Sequence, residues 1–415
     1  MNSAGRNVVL ISVATFAALA LPLILSGYDH GRAWYDQAHY HLPAILHFAE
    51  GGSLRDYSSA TTPGYHLLLA AVARVMPGDE IALKLVGLSI SLLLVGILTT
   101  FVARRVRSFA VTFCLMLPML VSVYFLPQGV WLVPDNLGWL TVLGVLLLAM
   151  RHQDRLSWYA GMSVLLLAAV LVRQSNAWLC GVALLSVMAS DAELPGRLLK
   201  AAMMLAPGIL ALAGFMALWH ALTPPSFVTQ HEGLNFAAWP FLLCVFGTYG
   251  LFYLPLFAAT IRQRWTQSRW PRSVLIGGVI GLLLALVQPT DASETAGRVS
   301  GLWVLAGLGP DPYHRSVLMT GLSTLGGMSV GLWYCLLPRR LAIGVLCTLL
   351  GYVLAQTANH MAYERYYAAF VFILLLVMSA VVIGAAEVRI RPVSLAAPLL
   401  LALGNAFILI RALRV

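Results

Sequence analysis

The polar residues best suited to acid–base chemistry lie together near the start of the chain. They occur in the stretch Tyr35-Asp36-Gln37-Ala38-His39-Tyr40-His41-Leu42-Pro43. A carboxylate such as Asp36, placed where an apolar run has ended, can take a proton from a hydroxyl group that attacks a substrate. His41 is a candidate for binding one of the two substrates of such a reaction, either the donor of the transferred group or the hydroxyl-bearing acceptor. An ordinary solvated loop is the alternative interpretation.

Other polar residues interrupt apolar runs further along the chain. Asp135 is a binding candidate that follows Val133-Pro134, where a simple helix N-cap is an equally good interpretation. Arg173 and Gln174 break a nearly continuous apolar stretch and must lie in a tight hairpin. Because ionisable groups at membrane depth are costly, such residues are functional candidates by default.

The second half of the chain supplies three more binding candidates. Arg298 belongs to a long polar segment, 290–315, that is expected to form a loop over a site. Glu364 and Arg365 precede Tyr366 and Tyr367 at the end of an apolar run. A charge pair at a helix end is the alternative interpretation of Glu364 and Arg365.

Arginines, carboxylates and aromatic rings together can bind a sugar phosphate. Arg pairs with phosphate oxygens, carboxylates accept hydrogen bonds from hydroxyls, and aromatic faces stack on sugar rings. The sequence has no Walker loop, nucleotide-binding Gly-rich turn, zinc-protease helix or serine nucleophile elbow. Its five cysteines lie in apolar runs without metal-ligand spacing. The sequence therefore predicts neither a cofactor nor a metal site.

The composition indicates what kind of protein must position these residues. Of the 415 residues, 60% are hydrophobic and 10% are charged, and the mean hydropathy is +0.85. These values predict an all-α protein that crosses the lipid bilayer many times. The net charge of +10 would suggest nucleic acid in a soluble protein. Here Lys and Arg form short clusters between apolar runs, as membrane-loop anchors do, so no nucleic-acid partner is predicted.

Thirteen apolar runs are candidate transmembrane helices. They lie near 8–26, 83–103, 109–126, 137–150, 156–172, 177–189, 201–221, 236–259, 273–289, 316–337, 341–358, 366–385 and 393–410. With a cytoplasmic N-terminus, sixteen of the 26 Lys and Arg residues fall on the cytoplasmic side, in agreement with the positive-inside rule. The candidate site residues then face the other side. The whole chain, 1–415, is predicted to be one integral-membrane domain.

The first outer loop, 27–78, is expected to be structured. The apolar run 65–76 is only about 12 residues long, too short to cross a bilayer. It is predicted to be a half-helix that follows Pro63 and is capped by a threonine, Thr61 or Thr62. A second helix, lying in the membrane interface, is predicted by apolar residues at helical spacing, Leu42, Ile45, Leu46 and Ala49.

These landmarks resemble those of the dolichyl-phosphate-glucose α-1,2-glucosyltransferases, within the larger class of C-type integral-membrane glycosyltransferases. In the order of the family's first outer loop, the chain shows Asp36, His41-Leu42-Pro43, Glu50-Gly51 and Thr61-Thr62-Pro63-Gly64. Later family segments are similar to Val133-Pro134-Asp135, Arg173-Gln174-Ser175-Asn176 and Glu364-Arg365-Tyr366-Tyr367. Two features differ: Gln37 replaces the second acid of the family's pair, and one extra residue separates Asp36 from His41.

The resemblance implies a metal-independent transfer of a sugar from a polyprenyl-phosphate-linked donor, with Asp36 as the general base. The acceptor would be a hydroxyl of a glycan, a glycolipid or another molecule. Because the chain is short and has no Asn-x-Ser/Thr acceptor, a bacterial inner membrane with a periplasmic site is favoured over the endoplasmic reticulum with a lumenal site. A transporter or flippase of lipid-linked sugars is one alternative. An oligosaccharide polymerase or ligase with a lipid-diphosphate donor is the other.

Overall fold

The computed structural model describes residues 3–151, 154–188, 193–228, 233–386 and 390–414, and within them it contains helices and loops but no β-strand. The all-α prediction is confirmed for these residues. In chain order the α-helices are α1 (Ser3–Leu25), α2 (Arg32–Asp36), α3 (Leu42–Ala49), α4 (Gly64–Val75), α5 (Glu80–Val106), α6 (Phe109–Leu120), α7 (Pro127–Val130), α8 (Asp135–Ala149), α9 (Leu156–Val172), α10 (Leu179–Met188), α11 (Leu194–Trp219), α12 (Ala238–Tyr253), α13 (Ala258–Arg264), α14 (Arg269–Val287), α15 (Leu302–Gly307), α16 (Val317–Leu336), α17 (Arg339–Thr357), α18 (Glu364–Ala386) and α19 (Ala396–Ala412).

Eight helical segments in the described part of the chain are long and apolar enough to cross a membrane. The chain is therefore a polytopic α-helical membrane protein. The eight segments are α1, α5, α11, α12 with α13, α14, α17, α18, and α19 with the turn before it. The other five predicted spans coincide with α6, α8, α9, α10 and α16, which do not belong to this set. Length and hydropathy thus support eight of the thirteen predicted spans.

Helix α18 lies at the centre of the bundle. Its residues 367–378 are all buried, and it contacts α5, α6, α8 and α12. A helix that is apolar on every side is stable only where neighbours cover it all round. The first turn of α18, with Glu364 and Arg365, is thereby held in a fixed place at one end of the bundle.

Glycines allow α14 and α16 to pack very closely. A Cβ added at Gly327 of α16 would overlap the carbonyl oxygen of Gly277 on α14. One turn along, the Ser323 hydroxyl donates to the carbonyl oxygen of Gly281 at 2.8 Å. Small residues let two backbones approach within a membrane, where dispersion and hydrogen bonding replace the hydrophobic effect.

This packing predicts that Gly327→Ala lowers the thermal unfolding temperature in detergent. The methyl group has no free space, and forcing extra volume into a packed contact costs roughly 1–3 kcal/mol. Gly321→Ala on the same helix is the matched control, because nothing lies within 4 Å of its added Cβ. There the better helix propensity of Ala keeps or raises the stability. Equal melting temperatures for the two variants would contradict the close contact.

The first loop contains both predicted helices, with two corrections. The helix expected at 42–49 is α3, but its buried residues are Ala44, Ile45 and Phe48, while Leu46 is exposed. The half-helix is α4, of 12 residues. Its predicted threonine cap is wrong, because the N-cap residue is Pro63 and makes no side-chain cap. The Thr62 hydroxyl instead donates to the carbonyl oxygen of Val170 at 2.6 Å, which fixes the loop to α9.

Candidate functional site

Most of the predicted site residues meet in one cavity at the end of the bundle. The cavity has a volume of about 970 Å³, at the upper end of the range of small-molecule sites. Six of the eight predicted residues line it, namely Asp36, His41, Asp135, Arg173, Gln174 and Arg365. Arg298 and Glu364 are not among its lining residues.

Asp36 and Arg365 form an ion pair in the cavity wall. Asp36 is buried, and its Oδ2 accepts a hydrogen bond from Nη1 of Arg365. The other carboxylate oxygen, Oδ1, lies 3.8 Å from Nε of Arg32, whose side chain is largely exposed. One oxygen of Asp36 is therefore engaged by a guanidinium, while the other, among the residues that the structure describes, has only a distant contact with Arg32 at the rim.

Asp135 and Arg173 form a second ion pair, with 2.8 Å between Oδ1 and Nη2. Asp135 is the first residue of α8, whose N-cap is Pro134 without a side-chain cap. The N-cap interpretation of Asp135 is therefore wrong. Arg173 is extended between the end of α9 and a short 3-10 helix, Gln174–Trp178, so the α-helix is interrupted at the predicted position.

The ring of Tyr366 connects the two ion pairs. Its centroid lies 5.3 Å from the guanidinium carbon of Arg173 and 5.2 Å from that of Arg365. A cation over an aromatic face is attracted by the ring quadrupole, so Tyr366 holds both guanidiniums at a fixed separation. Each guanidinium has five N–H donors, and the ion pairs leave several of them for a ligand.

A π-turn places Asp36 and His41 in the same cavity. In an α-helix, residues five apart lie on different faces because a turn takes 3.6 residues. Residues Gln37–His41 instead form a π-turn, in which the amide of Leu42 donates to the carbonyl oxygen of Gln37. Such single turns insert one residue into a helix and are frequent at functional sites. Compared with the resembled family, one extra residue lies between Asp36 and His41. The π-turn accommodates this residue while both side chains still line the cavity.

Gln37 has a structural role away from the cavity. Its Nε2 donates to Oε1 of Glu80 at 2.7 Å, and its Oε1 accepts from the amide of Leu132 at 2.8 Å. Glu80 also pairs with Lys84 at 2.8 Å. Gln37 therefore joins the first loop to α5 and to the turn before α8. Where the resembled family has a second acid, this chain has a fixed structural amide.

Gln174 lines the cavity, but both ends of its side chain bind the backbone of the first loop. Its Nε2 donates to the carbonyl oxygen of Ala60 at 2.9 Å, and its Oε1 accepts from the amide of Thr62 at 3.1 Å. Gln174 thus positions the segment before α4.

Arg298 and Glu364 stabilise the second long loop and its attachment to the bundle. Arg298 is buried and donates to both the carboxylate and the carbonyl oxygen of Asp291, each at 2.9 Å. Glu364 is buried and accepts from the amide of Leu302 at 2.6 Å and from the hydroxyl of Tyr249 at 3.0 Å. The alternative interpretation of Glu364 and Arg365 as a charge pair at a helix end is wrong, because Glu364 binds Leu302 and Tyr249, whereas Arg365 pairs with Asp36.

Sequence reasoning missed several residues of the cavity wall. Arg32 gives a readable signal, because it precedes Asp36 by one helical turn. His220 and Trp178 also line the cavity. They lie at the ends of apolar helices, where nothing in the sequence distinguishes a cavity residue from a packed one.

The cavity continues from its charged end into an apolar groove between α10, α11 and α17. We define the apolar groove by Gly181, Leu212, Gly351 and Leu354. Gly181 and Leu354 are exposed on the surface of the bundle, and nothing lies within 4 Å of a Cβ added at Gly181. In a membrane protein such a surface faces lipid, so a hydrocarbon chain could enter the cavity from the side.

No protein-family model, curated protein or solved structure matches this chain. The likeness to the glucosyltransferases therefore depends on the quoted residues alone. Across the described ranges, no group of three or more His, Cys, Asp or Glu residues could hold a metal ion.

Proposed function

We propose that the chain transfers a sugar from a polyprenyl-phosphate-linked donor to an acceptor hydroxyl, with inversion at the anomeric carbon. The observation that carries this proposal is one cavity that joins two carboxylate–guanidinium pairs to the apolar groove. The guanidiniums would bind the anionic centre of such a donor, and the apolar groove would bind its hydrocarbon chain.

The charges in the cavity favour a monophosphate donor. Arg32, Arg173 and Arg365 supply three positive charges, and Asp36 and Asp135 supply two negative ones. One positive charge remains, which a sugar phosphodiester with its single negative charge would neutralise. A lipid diphosphate carries a second negative charge that this set of residues would leave uncompensated, and uncompensated buried charge is costly.

In the proposed reaction, Asp36 is the general base. It takes the proton from the acceptor hydroxyl while the hydroxyl oxygen attacks the anomeric carbon. The bond from that carbon to the phosphate oxygen breaks, and the electron pair leaves with the polyprenyl phosphate. Arg173 and Arg365 stabilise the negative charge that develops on the leaving phosphate. Asp36 is suited to this role because only one of its oxygens is occupied by Arg365.

The proposal includes thirteen membrane crossings, in which α6, α8, α9, α10 and α16 cross the membrane in addition to the eight segments named above. The Tyr28 hydroxyl donates to the carbonyl oxygen of Leu413 at 2.8 Å, so the last helix ends beside the start of the first loop. That arrangement requires an odd number of crossings. Arginines cluster at the opposite helix ends, for example Arg104 and Arg105 in the last turn of α5. By the positive-inside rule, the cavity then faces the periplasm or the lumen.

The proposal predicts that Gly181→Phe raises the KM for undecaprenyl-phosphate glucose at least about tenfold, because the ring fills the apolar groove and several methylene contacts are lost. A donor with a ten-carbon citronellyl chain should be affected much less. Gly214→Phe is the control, since this exposed glycine of α11 has free space around it and does not line the cavity. Radiolabelled donor and a membrane extract that supplies acceptors give the rate.

Two results would contradict the proposal. Transfer from undecaprenyl-diphosphate glucose but not from the monophosphate form would indicate a polymerase or ligase. Movement of the donor between the leaflets of a vesicle, without transfer of label, would indicate a flippase.

A further inference from the structure

A chain of hydrogen bonds leads from the cavity wall into the first loop. Nδ1 of His41 lies 2.9 Å from Nε2 of His66, and Nδ1 of His66 lies 2.8 Å from the hydroxyl of Tyr57. All three side chains are buried. Of the three, His41 lines the cavity. Its Nε2 has no hydrogen-bond partner among the described residues and is the atom left for a ligand.

Packing holds the three rings in place. The rings of His41 and His66 stack with 5.2 Å between their centroids. Tyr57 stacks between Phe48 and Trp219, at 5.2 Å and 6.1 Å. The hydrogen-bonded side chains of His41, His66 and Tyr57 thus join the π-turn to the first turn of α4. The packed rings have little freedom to rearrange.

Burial favours the neutral form of both histidines. Burial, together with the positive charges of Arg173 and Arg365, lowers the pKa of His41 to about 3. Burial also lowers the pKa of His66 well below its ordinary value. A neutral imidazole has one N–H and one lone pair. Each ring therefore points one donor and one acceptor along the chain.

The positive charges of Arg173 and Arg365 favour one direction of hydrogen-bond donation along these three side chains. Their positive charge favours the arrangement in which His41 turns a lone pair, and not an N–H, towards the cavity. Nδ1–H of His41 then donates to His66, and Nδ1–H of His66 donates to the oxygen of Tyr57.

We propose that Nε2 of His41 accepts a hydrogen bond from a hydroxyl of the donor sugar, and that His66 and Tyr57 are positioning residues that fix its tautomer. This inference rests on the proposed function. A buried acceptor left without its partner is costly, so the site would discriminate against a sugar that lacks this one hydroxyl.

The test uses undecaprenyl-phosphate glucose and its four donor analogues that each lack one hydroxyl, at position 2, 3, 4 or 6. With the wild-type protein, one analogue should lose about 10- to 100-fold in kcat/KM relative to glucose. With His41→Phe, that analogue should have the same kcat/KM as glucose, because the side chain that distinguishes the two sugars is gone. Each of the other three analogues should lose the same factor in kcat/KM, relative to glucose, in both proteins. Equal losses in wild type and His41→Phe for all four analogues would overturn the proposal.

Two variants complete the design. Tyr57→Phe removes only the hydroxyl and keeps the ring packing, so selectivity for the critical hydroxyl should fall while kcat changes little. His39→Phe is the control, because His39 is exposed on the same helical segment and stacks on Tyr35. Its selectivity should equal that of the wild type.

Nitrogen-15 NMR of labelled histidine in lipid nanodiscs tests the tautomer without any substrate. His41 should show a protonated Nδ1 and an unprotonated Nε2, and Tyr57→Phe should shift this signal. A protonated Nε2 would overturn the inference even if sugar transfer is observed. The expected tautomer in a protein that transfers no sugar would overturn the proposed function instead.

Discussion

We expect Asp36→Asn to lower the rate of sugar transfer at least about 100-fold, because a lost general base typically costs that much or more. Asparagine has the same shape, and its amide oxygen can still accept a hydrogen bond from Arg365, so the fold should be retained. The measurement is the initial rate with radiolabelled undecaprenyl-phosphate glucose, at donor concentrations above and below KM.

Asp311→Asn is the matched control for this experiment. Asp311 lies in the second long loop, is exposed and does not line the cavity. Its variant should have full activity. An Asp36→Asn protein that folds and keeps more than a few per cent of the wild-type rate would show that Asp36 is not the base.

The second large effect concerns the partner of Asp36. Arg365→Gln should lower the free energy of unfolding by roughly 3 kcal/mol, because it leaves the buried carboxylate of Asp36 without its main counter-charge. Under the proposed function, transfer should also fall at least about 100-fold, since the leaving phosphate would lose a guanidinium that stabilises it. Chemical unfolding in detergent measures the first effect, and the transfer assay measures the second.

The double variant Asp36→Asn with Arg365→Gln separates the two effects. Two amides have no charge to compensate, so much of the stability should return, whereas activity should not. A double-mutant cycle quantifies this coupling. Strictly additive losses of stability would contradict the direct ion pair.

Features encoded by short segments could be predicted from the sequence. The half-helix α4 follows a Thr-Thr-Pro-Gly turn and has an apolar run too short for a span. The polar residues from Arg173 onwards interrupt an otherwise apolar stretch, and the α-helix is interrupted at the same place. Because polar residues are rare in such a chain, the few that occur were good candidates for the cavity, and six of eight line it.

Features that depend on distant parts of the chain could not be predicted. Asp36 and Arg365 are 329 positions apart, and nothing local indicates their pairing. Helices that are apolar all round give no periodic signal for the face that packs inward. Arg298 and Glu364 likewise could not be distinguished from cavity residues, because the fold determines their partners: Arg298 binds Asp291 within the second long loop, whereas Glu364 binds the amide of Leu302, 62 positions away.

The π-turn determines how this site responds to a change in the length of the segment. In an α-helix, side chains four positions apart lie on the same face, because four residues turn through about 400°. Deletion of Ala38 would let the π-turn relax to a regular α-helix and leave the aspartate and the histidine four positions apart, still on one face. Insertion of a residue at the same place would rotate the aspartate by roughly 100° away from the histidine, so a single-codon insertion should damage the site more than a single-codon deletion.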